Sequence, residues 1–192
     1  MLKPAYCTLA GLAILLLFAG CGRSPEGVAP SPGNSPAPSA AAATVDGFFS
    51  SYRGNFREAD PARLSQGLAA AVQSAIDGEK ESAARVKASE FPNDKPAILE
   101  GEVFTGLYEG FTGYEILGES VAGDQAVVQV RFRNEPYNVT WTDEVVLVDE
   151  DGWKIDDIRY AQKMAGLLGL REVLQEFERA VAAEAASMAK KQ

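Results

Sequence analysis

Gln125-Ala126-Val127-Val128-Gln129-Val130-Arg131-Phe132-Arg133 is the stretch whose reading decides the fold. Ala126, Val128, Val130 and Phe132 fall on one side of an extended chain; Val127, Gln129, Arg131 and Arg133 fall on the other. Alternation with a period of two is the pattern of a strand that packs one face and wets the other. Upstream, Ala122-Gly123-Asp124 reads as a turn and residues 114–121 as a partner strand. Downstream, residues 134–137 form a loop and residues 138–148, with Trp141, Val145 and Leu147, a third strand. Asp149-Glu150-Asp151-Gly152 is a hairpin turn with Gly152 in the left-handed position, and residues 153–160 are a fourth strand. Connections this short join antiparallel neighbours, so the four segments predict a meander.

Helical periodicity flanks the meander. In residues 44–57, Val45, Phe48, Phe49, Tyr52 and Phe56 recur at helical spacing, with Thr44 as the expected N-cap. Asp60-Pro61 predicts a second helix start, followed by the stripe Leu64, Leu68, Val72, Ala75 and Ile76. Asp77-Gly78 predicts a break, and residues 79–90 are polar apart from Val86. Residues 91–114 carry two prolines and repeated glycines, too much punctuation for one long element, yet they hold enough large apolar side chains to pack down. A last helix is predicted over residues 167–190, with Leu170, Leu174, Phe177 and Val181 on one face. Lys190 and Lys191 stand at the negative end of its dipole. The expected class is α+β: N-terminal helices packed on a curved antiparallel meander of four or more strands, then a C-terminal helix, as one domain over residues 44–192.

The N-terminus has a different composition. Residues 1–6 carry one charged side chain, Lys3, and residues 7–20 are an uncharged run of 14. That is the layout of a secretory signal and is shorter than the ~18 apolar residues that argue for a spanning helix. Ala19-Gly20-Cys21 resembles the lipobox of bacterial lipoproteins, with Phe18 standing where that motif most often has Leu, Val or Ile. The resemblance implies removal of residues 1–20 and acylation at Cys21. It also implies a cell-envelope location, and the absence of Asp after Cys21 implies the periplasmic face of the outer membrane. Residues 21–43 contain five prolines and no apolar periodicity, the composition of a disordered tether.

Charge and missing residue types narrow the chemistry. The formal net charge is −9, and removing residues 1–20, with one Lys and no acid, makes it −9 − 1 = −10. Such a balance speaks against nucleic acid and anionic lipid as partners. The chain has no His, and its cysteines are Cys7 and Cys21. Imidazole-dependent catalysis therefore falls away, a thiol nucleophile falls away once Cys21 is acylated, and neither a metal centre nor a cofactor is expected. Carboxylates, Lys, Tyr and backbone groups remain.

Phe48-Phe49-Ser50-Ser51-Tyr52, Asp94-Lys95-Pro96, Glu100-Gly101-Glu102-Val103-Phe104, Tyr108-Glu109-Gly110 and Gly152-Trp153-Lys154-Ile155-Asp156-Asp157-Ile158 resemble segments of bacterial envelope domains in the nuclear transport factor 2-like superfamily. The resemblance implies a cone, a bent sheet wrapped around a helix, with an apolar pocket at its open end. That superfamily holds isomerases, hydrolases and non-enzymatic binding domains, so fold alone does not choose among them. Glu100, Glu102 and Glu109, near Asp94 and Lys95, read either as a carboxylate pocket or as a solvated loop with capped turns, and the second reading is preferred. Glu102, Tyr108 and Asp156 are the candidate acid, base and hydroxyl groups, with Tyr114 a further hydroxyl. Tyr52, Glu100 and Trp141 are the candidate pocket residues, while Trp153 is expected in the core.

The function expected is a membrane-tethered, non-catalytic ligand- or protein-binding module. Its partners would be the membrane, through the lipid on Cys21, and an envelope protein or small apolar ligand. The alternatives are a small-molecule enzyme using carboxylate and Tyr chemistry, and a periplasmic inhibitor or protective partner.

Overall fold

The computed structural model describes residues 39–164 and 166–190. Cys21, the signal-like run and most of the tether lie outside the described residues. The elements are α1 (Ala40–Ser51), α2 (Gln66–Ala88), β1 (Gly113–Ala122), β2 (Gln125–Asn134), β3 (Val139–Asp149), β4 (Trp153–Met164), β5 (Leu167–Gly169) and α3 (Leu170–Ala189). The five strands form one antiparallel sheet in the order β1-β2-β3-β4-β5. The α+β expectation holds, with three helices and one strand more than the sequence pattern showed.

The first helix begins earlier than predicted. Ser39 caps it, its Oγ accepting from Ala42 N at 3.1 Å, and Ala40 to Ala43 are helical. Four alanines extend a helix at almost no conformational cost, so the better cap ahead of them wins over Thr44. Thr44 lies within the helix and donates to Ala40 O and to Trp153 O. The helix also ends earlier, because Tyr52 is extended and Gly54 is left-handed at φ 79°. Phe56 belongs to a separate 3-10 turn, Phe56–Glu58, yet stays in the core at 1% exposure. The aromatic stripe thus described burial correctly and helix length incorrectly.

Asp60 caps a 3-10 turn, Pro61–Arg63, and not α2. The cap of α2 is Ser65, whose Oγ accepts from Leu68 N at 3.0 Å and donates to Asp156 Oδ1 at 2.6 Å. The expected break at Asp77-Gly78 does not occur. Gly78 faces α3, and a Cβ built there would stand 3.5 Å from Val181 Cγ2 and 3.7 Å from Phe177 Cε1. Packing of α3 against this turn holds the helix through a residue that weakens it by about 1 kcal/mol relative to Ala. The polar stretch continues the buried face, with Glu79, Ser82 and Val86 turned inward.

In the sheet, Ala126, Val128, Val130 and Phe132 are all buried, as the alternation requires. They pair across β3 with Leu147, Val145, Asp143 and Trp141. The register between β3 and β4 shifts after Val146, placing a bulge at Asp156. One extra residue there reverses side-chain parity, so Ile155, Ile158 and Tyr160 all reach the core while Asp156 and Asp157 turn toward the start of α3. Leu167–Gly169, predicted as the start of the last helix, instead pairs with β4 as β5. On the helical side, α1 touches β1, β2 and β4, α2 packs on α3, and α3 packs on β4 and β5. Phe48, Phe49, Phe104, Phe132, Leu147, Ile155 and Leu174 fill the space between the layers.

Gly78→Ala is expected to raise stability by about 0.5–1 kcal/mol, because its Cβ meets only ordinary contacts and the backbone is already helical. Thermal unfolding of the variant checks this, with an expected rise of about 2–4 °C.

Candidate functional site

The last turn of α1, the chain after it and the irregular segment before β1 enclose an open groove of about 1410 Å³. Its walls mix aromatic rings, Phe49, Tyr52, Tyr108, Phe111 and Tyr114, with charged side chains that include Arg53, Arg57, Arg63 and Arg133. Phe111 packs edge-on against Phe49 and Tyr114, which fixes that wall to the core.

Glu102 lies in the wall. Its residue is 3% exposed. Oε1 accepts from the Tyr52 hydroxyl at 2.9 Å and from Phe104 N at 2.6 Å. Oε2 is buried and has no hydrogen-bond partner among the described residues. Burial pushes the carboxyl up to about 7, against the pull of the Phe104 N–H and the Tyr52 hydroxyl. The Tyr52 hydroxyl is itself held far above its ordinary value, first by burial and then by the negative charge of Glu102. The Tyr160 hydroxyl is raised as well, chiefly by burial, and donates to Val103 O at 2.5 Å.

A tight loop presents this carboxylate. Glu102 N donates to Tyr108 O at 2.9 Å and Gly110 N to Leu107 O at 2.9 Å. Gly101 and Gly110 are left-handed, at φ 78° and 75°. The Tyr108 ring lies where a side chain on Gly101 would stand, so only glycine lets the ring fold over the loop. Glu102, Val103, Phe104 and Thr105 are consequently all buried although they lie in no regular element.

Of the candidate residues, Tyr52, Glu102 and Tyr108 come together at the groove, with Glu109 and Tyr114 also on its lining. Glu100 does not line it and instead pairs with Lys95 at 2.6 Å, both side chains exposed. Trp141 is behind it, stacked on Phe132 with ring centres 5.6 Å apart and its Nε1 donating to Asp143 at 2.9 Å. Asp156 is separate again, held by Arg171 and Ser65 at the β4 bulge. Glu102 and Glu109 therefore share the groove, while Glu100 and Asp156 lie apart from it. Trp153 is half-buried at the start of β4 and packs against the core. Among the described residues, no group of three or more His, Cys, Asp and Glu side chains is placed to hold a metal ion.

The strongest polar site missed by sequence reading is Asp143, fully buried in β3. Oδ2 accepts from Gly106 N at 2.7 Å and from Trp141 Nε1 at 2.9 Å, and Oδ1 accepts from Ala161 N at 2.9 Å. Burial raises its carboxyl, opposed by those three donors. Its signal was present: it shares the parity of Trp141, Val145 and Leu147. Glu79 was legible in the same way, one turn beyond Ala75 and Ile76 on the buried face of α2.

Glu102 and Asp143 predict opposite responses to amidation. Glu102 holds its proton more tightly when folded than its ordinary value of 4.5. Its contribution to stability is thus complete below about pH 4.5 and is lost as pH rises through about 7, by up to about 3 kcal/mol. Glu102→Gln is expected to unfold at a higher temperature than the parent at pH 8 and to show no such gain at pH 5. Asp143→Asn turns an amide N–H₂ toward backbone and indole donors and is expected to destabilise by about 3 kcal/mol at pH 7. Denaturant titration of both variants at the two pH values checks the contrast.

No protein-family model, no curated protein and no solved structure matches this chain, so its functional reading rests on residues and geometry.

Proposed function

We propose that this chain is a lipoprotein of the bacterial cell envelope, anchored by acyl groups on Cys21, whose domain is a non-catalytic binding module of the nuclear transport factor 2-like type. The cone implied by that resemblance is supported by α1, which touches β1, β2 and β4 and so meets strands on both flanks of the sheet's centre. The uncharged run ending at Ala19-Gly20-Cys21 supports the anchor. No described helix is long and apolar enough to cross a membrane.

The aromatic groove carries the binding reading. Its volume of about 1410 Å³ accommodates a small ligand, and its walls offer aromatic rings together with many polar and charged groups. Catalysis needs a second reactive group beside Glu102. The nearest hydroxyl, on Tyr52, already donates to Glu102 itself and is held far from ionisation. That pairing orders the wall and engages the hydroxyl beside Glu102 in the fold itself.

A value near 7 for Glu102 favours one second reading, an enzyme with Glu102 as general base. Affinity capture of the acylated protein from cells, with mass spectrometry of small molecules and proteins, decides between them. A captured ligand that stays chemically unchanged on incubation with the protein supports the module. A ligand converted by the parent and left intact by Glu102→Gln supports the enzyme. Cys21→Ala is expected to move the protein from the membrane to the soluble fraction, and a variant that remains in membranes overturns the anchor.

A further inference from the structure

We infer that the groove holds a subsite for a neutral saccharide, with one pyranose ring of a sugar chain stacked on the outward face of Tyr108. This deepens the binding-module reading of the same groove and rests on it. A Cβ built on Gly101 would be equally close to Cδ2 and Cε2 of the Tyr108 ring, nearer than any real contact, and 2.9 Å from Cγ. Those distances put the point over a face of the ring, since a point out beyond its edge would lie much farther from Cγ. One face of the ring therefore lies against Gly101. Tyr108 is nonetheless half exposed and lines the groove, so the opposite face is open there. The loop that carries the ring is closed before any ligand arrives, with Glu102 N donating to Tyr108 O at 2.9 Å and Gly110 N to Leu107 O at 2.9 Å. A platform fixed in advance loses little freedom on binding.

The lining favours a ligand that is neither charged nor wholly apolar. It carries four arginines and four acids, so no excess charge draws an ion of either sign. Glu109, beside Tyr108, takes part in no ion pair or side-chain hydrogen bond among the described residues. Arg53 uses one nitrogen, Nη1, on the carbonyls of Ser50 and Tyr52. An apolar ligand would strip water from such groups and return no hydrogen bond, at about 1–3 kcal/mol for each. Sugar hydroxyls both donate and accept, so they serve a carboxylate and a guanidinium alike. The C–H face of a pyranose supplies the apolar surface, and its slightly positive hydrogens meet the negative face of the Tyr108 ring. The volume of about 1410 Å³ exceeds the roughly 300–1,000 Å³ of a small-molecule pocket and leaves room for several linked rings. A peptide is the less favoured occupant. Strand addition would use the free edge of β1, and the part of β1 that lines the groove, residues 113–116, ends at the register shift before Gly118.

The test titrates the β-1,4-linked tetramers of glucose and of N-acetylglucosamine, and separately end-capped tetra-alanine, into the full chain, following backbone amides by NMR. At least one tetrasaccharide is expected to shift the amides of Gly101, Tyr108 and Glu109 with a dissociation constant of about millimolar, and tetra-alanine to bind at least about tenfold more weakly. Tyr108→Leu keeps an apolar side chain over Gly101 and removes the ring; it is expected to weaken the sugar about three- to tenfold. Tyr108→Phe keeps the ring and is expected to stay within about twofold of the parent. Nuclear Overhauser contacts between sugar C–H protons and the Tyr108 ring, read on the parent protein, carry the assignment if the Leu variant is perturbed, and a bound sugar without them overturns the stacking. Neither tetrasaccharide moving those amides overturns the subsite, as does undiminished affinity in a folded Tyr108→Leu. Tetra-alanine binding as tightly as the sugars overturns the saccharide preference and leaves the binding-module reading in place. Cleavage of a tetramer during the titration overturns the non-catalytic reading and leaves the sugar subsite in place.

Discussion

Residues 97–110 pass through the protein without a helix or a strand to satisfy their peptide groups, and buried polar side chains satisfy them instead. Ser82 accepts from Ala97 N, Glu79 from Leu99 N, Glu102 from Phe104 N and Asp143 from Gly106 N. On the acceptor side, Tyr160 donates to Val103 O and Asn134 to Gly110 O. A buried N–H or C=O must find a partner somewhere, and these six side chains, drawn from α2, the loop itself, β2, β3 and β4, supply much of that partner set beside the backbone pairs Glu102 N–Tyr108 O and Gly110 N–Leu107 O. They make an irregular segment as fixed as a strand and thereby hold one wall of the groove.

The arrangement has an electrostatic consequence. Ion pairing relieves Glu79, through Arg57 at 2.5 Å. Among the described residues no cation pairs with Glu102 or Asp143; their charge is met by N–H and O–H donors, and burial raises both. Asp143 is met on both oxygens by three donors, so its role is complete within the fold. Glu102 is met on one oxygen, and its other oxygen is buried near Gly54 and Gly110 with no hydrogen-bond partner among the described residues. Two carboxylates with a shared task in the backbone network therefore differ in what remains unsatisfied.

Glycines shape the same region by what they leave out. Gly101 lets the Tyr108 ring fold down over the loop, while Gly54 and Gly110 let the backbone approach the Glu102 side chain closely. All three have positive φ, where other residues are strained, so the positions serve both the turn geometry and the close approach. The polar character of α2 after Gly78 also acquires a reason: Glu79 and Ser82 face inward because an irregular chain passes there and needs acceptors.

By itself the sequence determined four of the five strands, the class and the aromatic core, because periodicity is a local record of which face is buried. The alternation around Val128 and Val130 and the stripe through Phe48, Phe49 and Phe56 keep their burial in the fold, and the turns at Gly123 and Gly152 keep their positive φ. Helix ends were less legible, since Ser39 and Ser65 win as caps only in competition with Thr44 and Asp60, and Gly78 remains helical only because α3 packs on it. The β4 bulge that sends Asp156 to Arg171, away from the groove, has no signature along the chain. Tertiary structure alone decided which carboxylates are buried, which are paired and which meets Tyr52. Those properties depend on donors and charges brought near from distant parts of the chain, and a period of two or 3.6 residues carries no record of them.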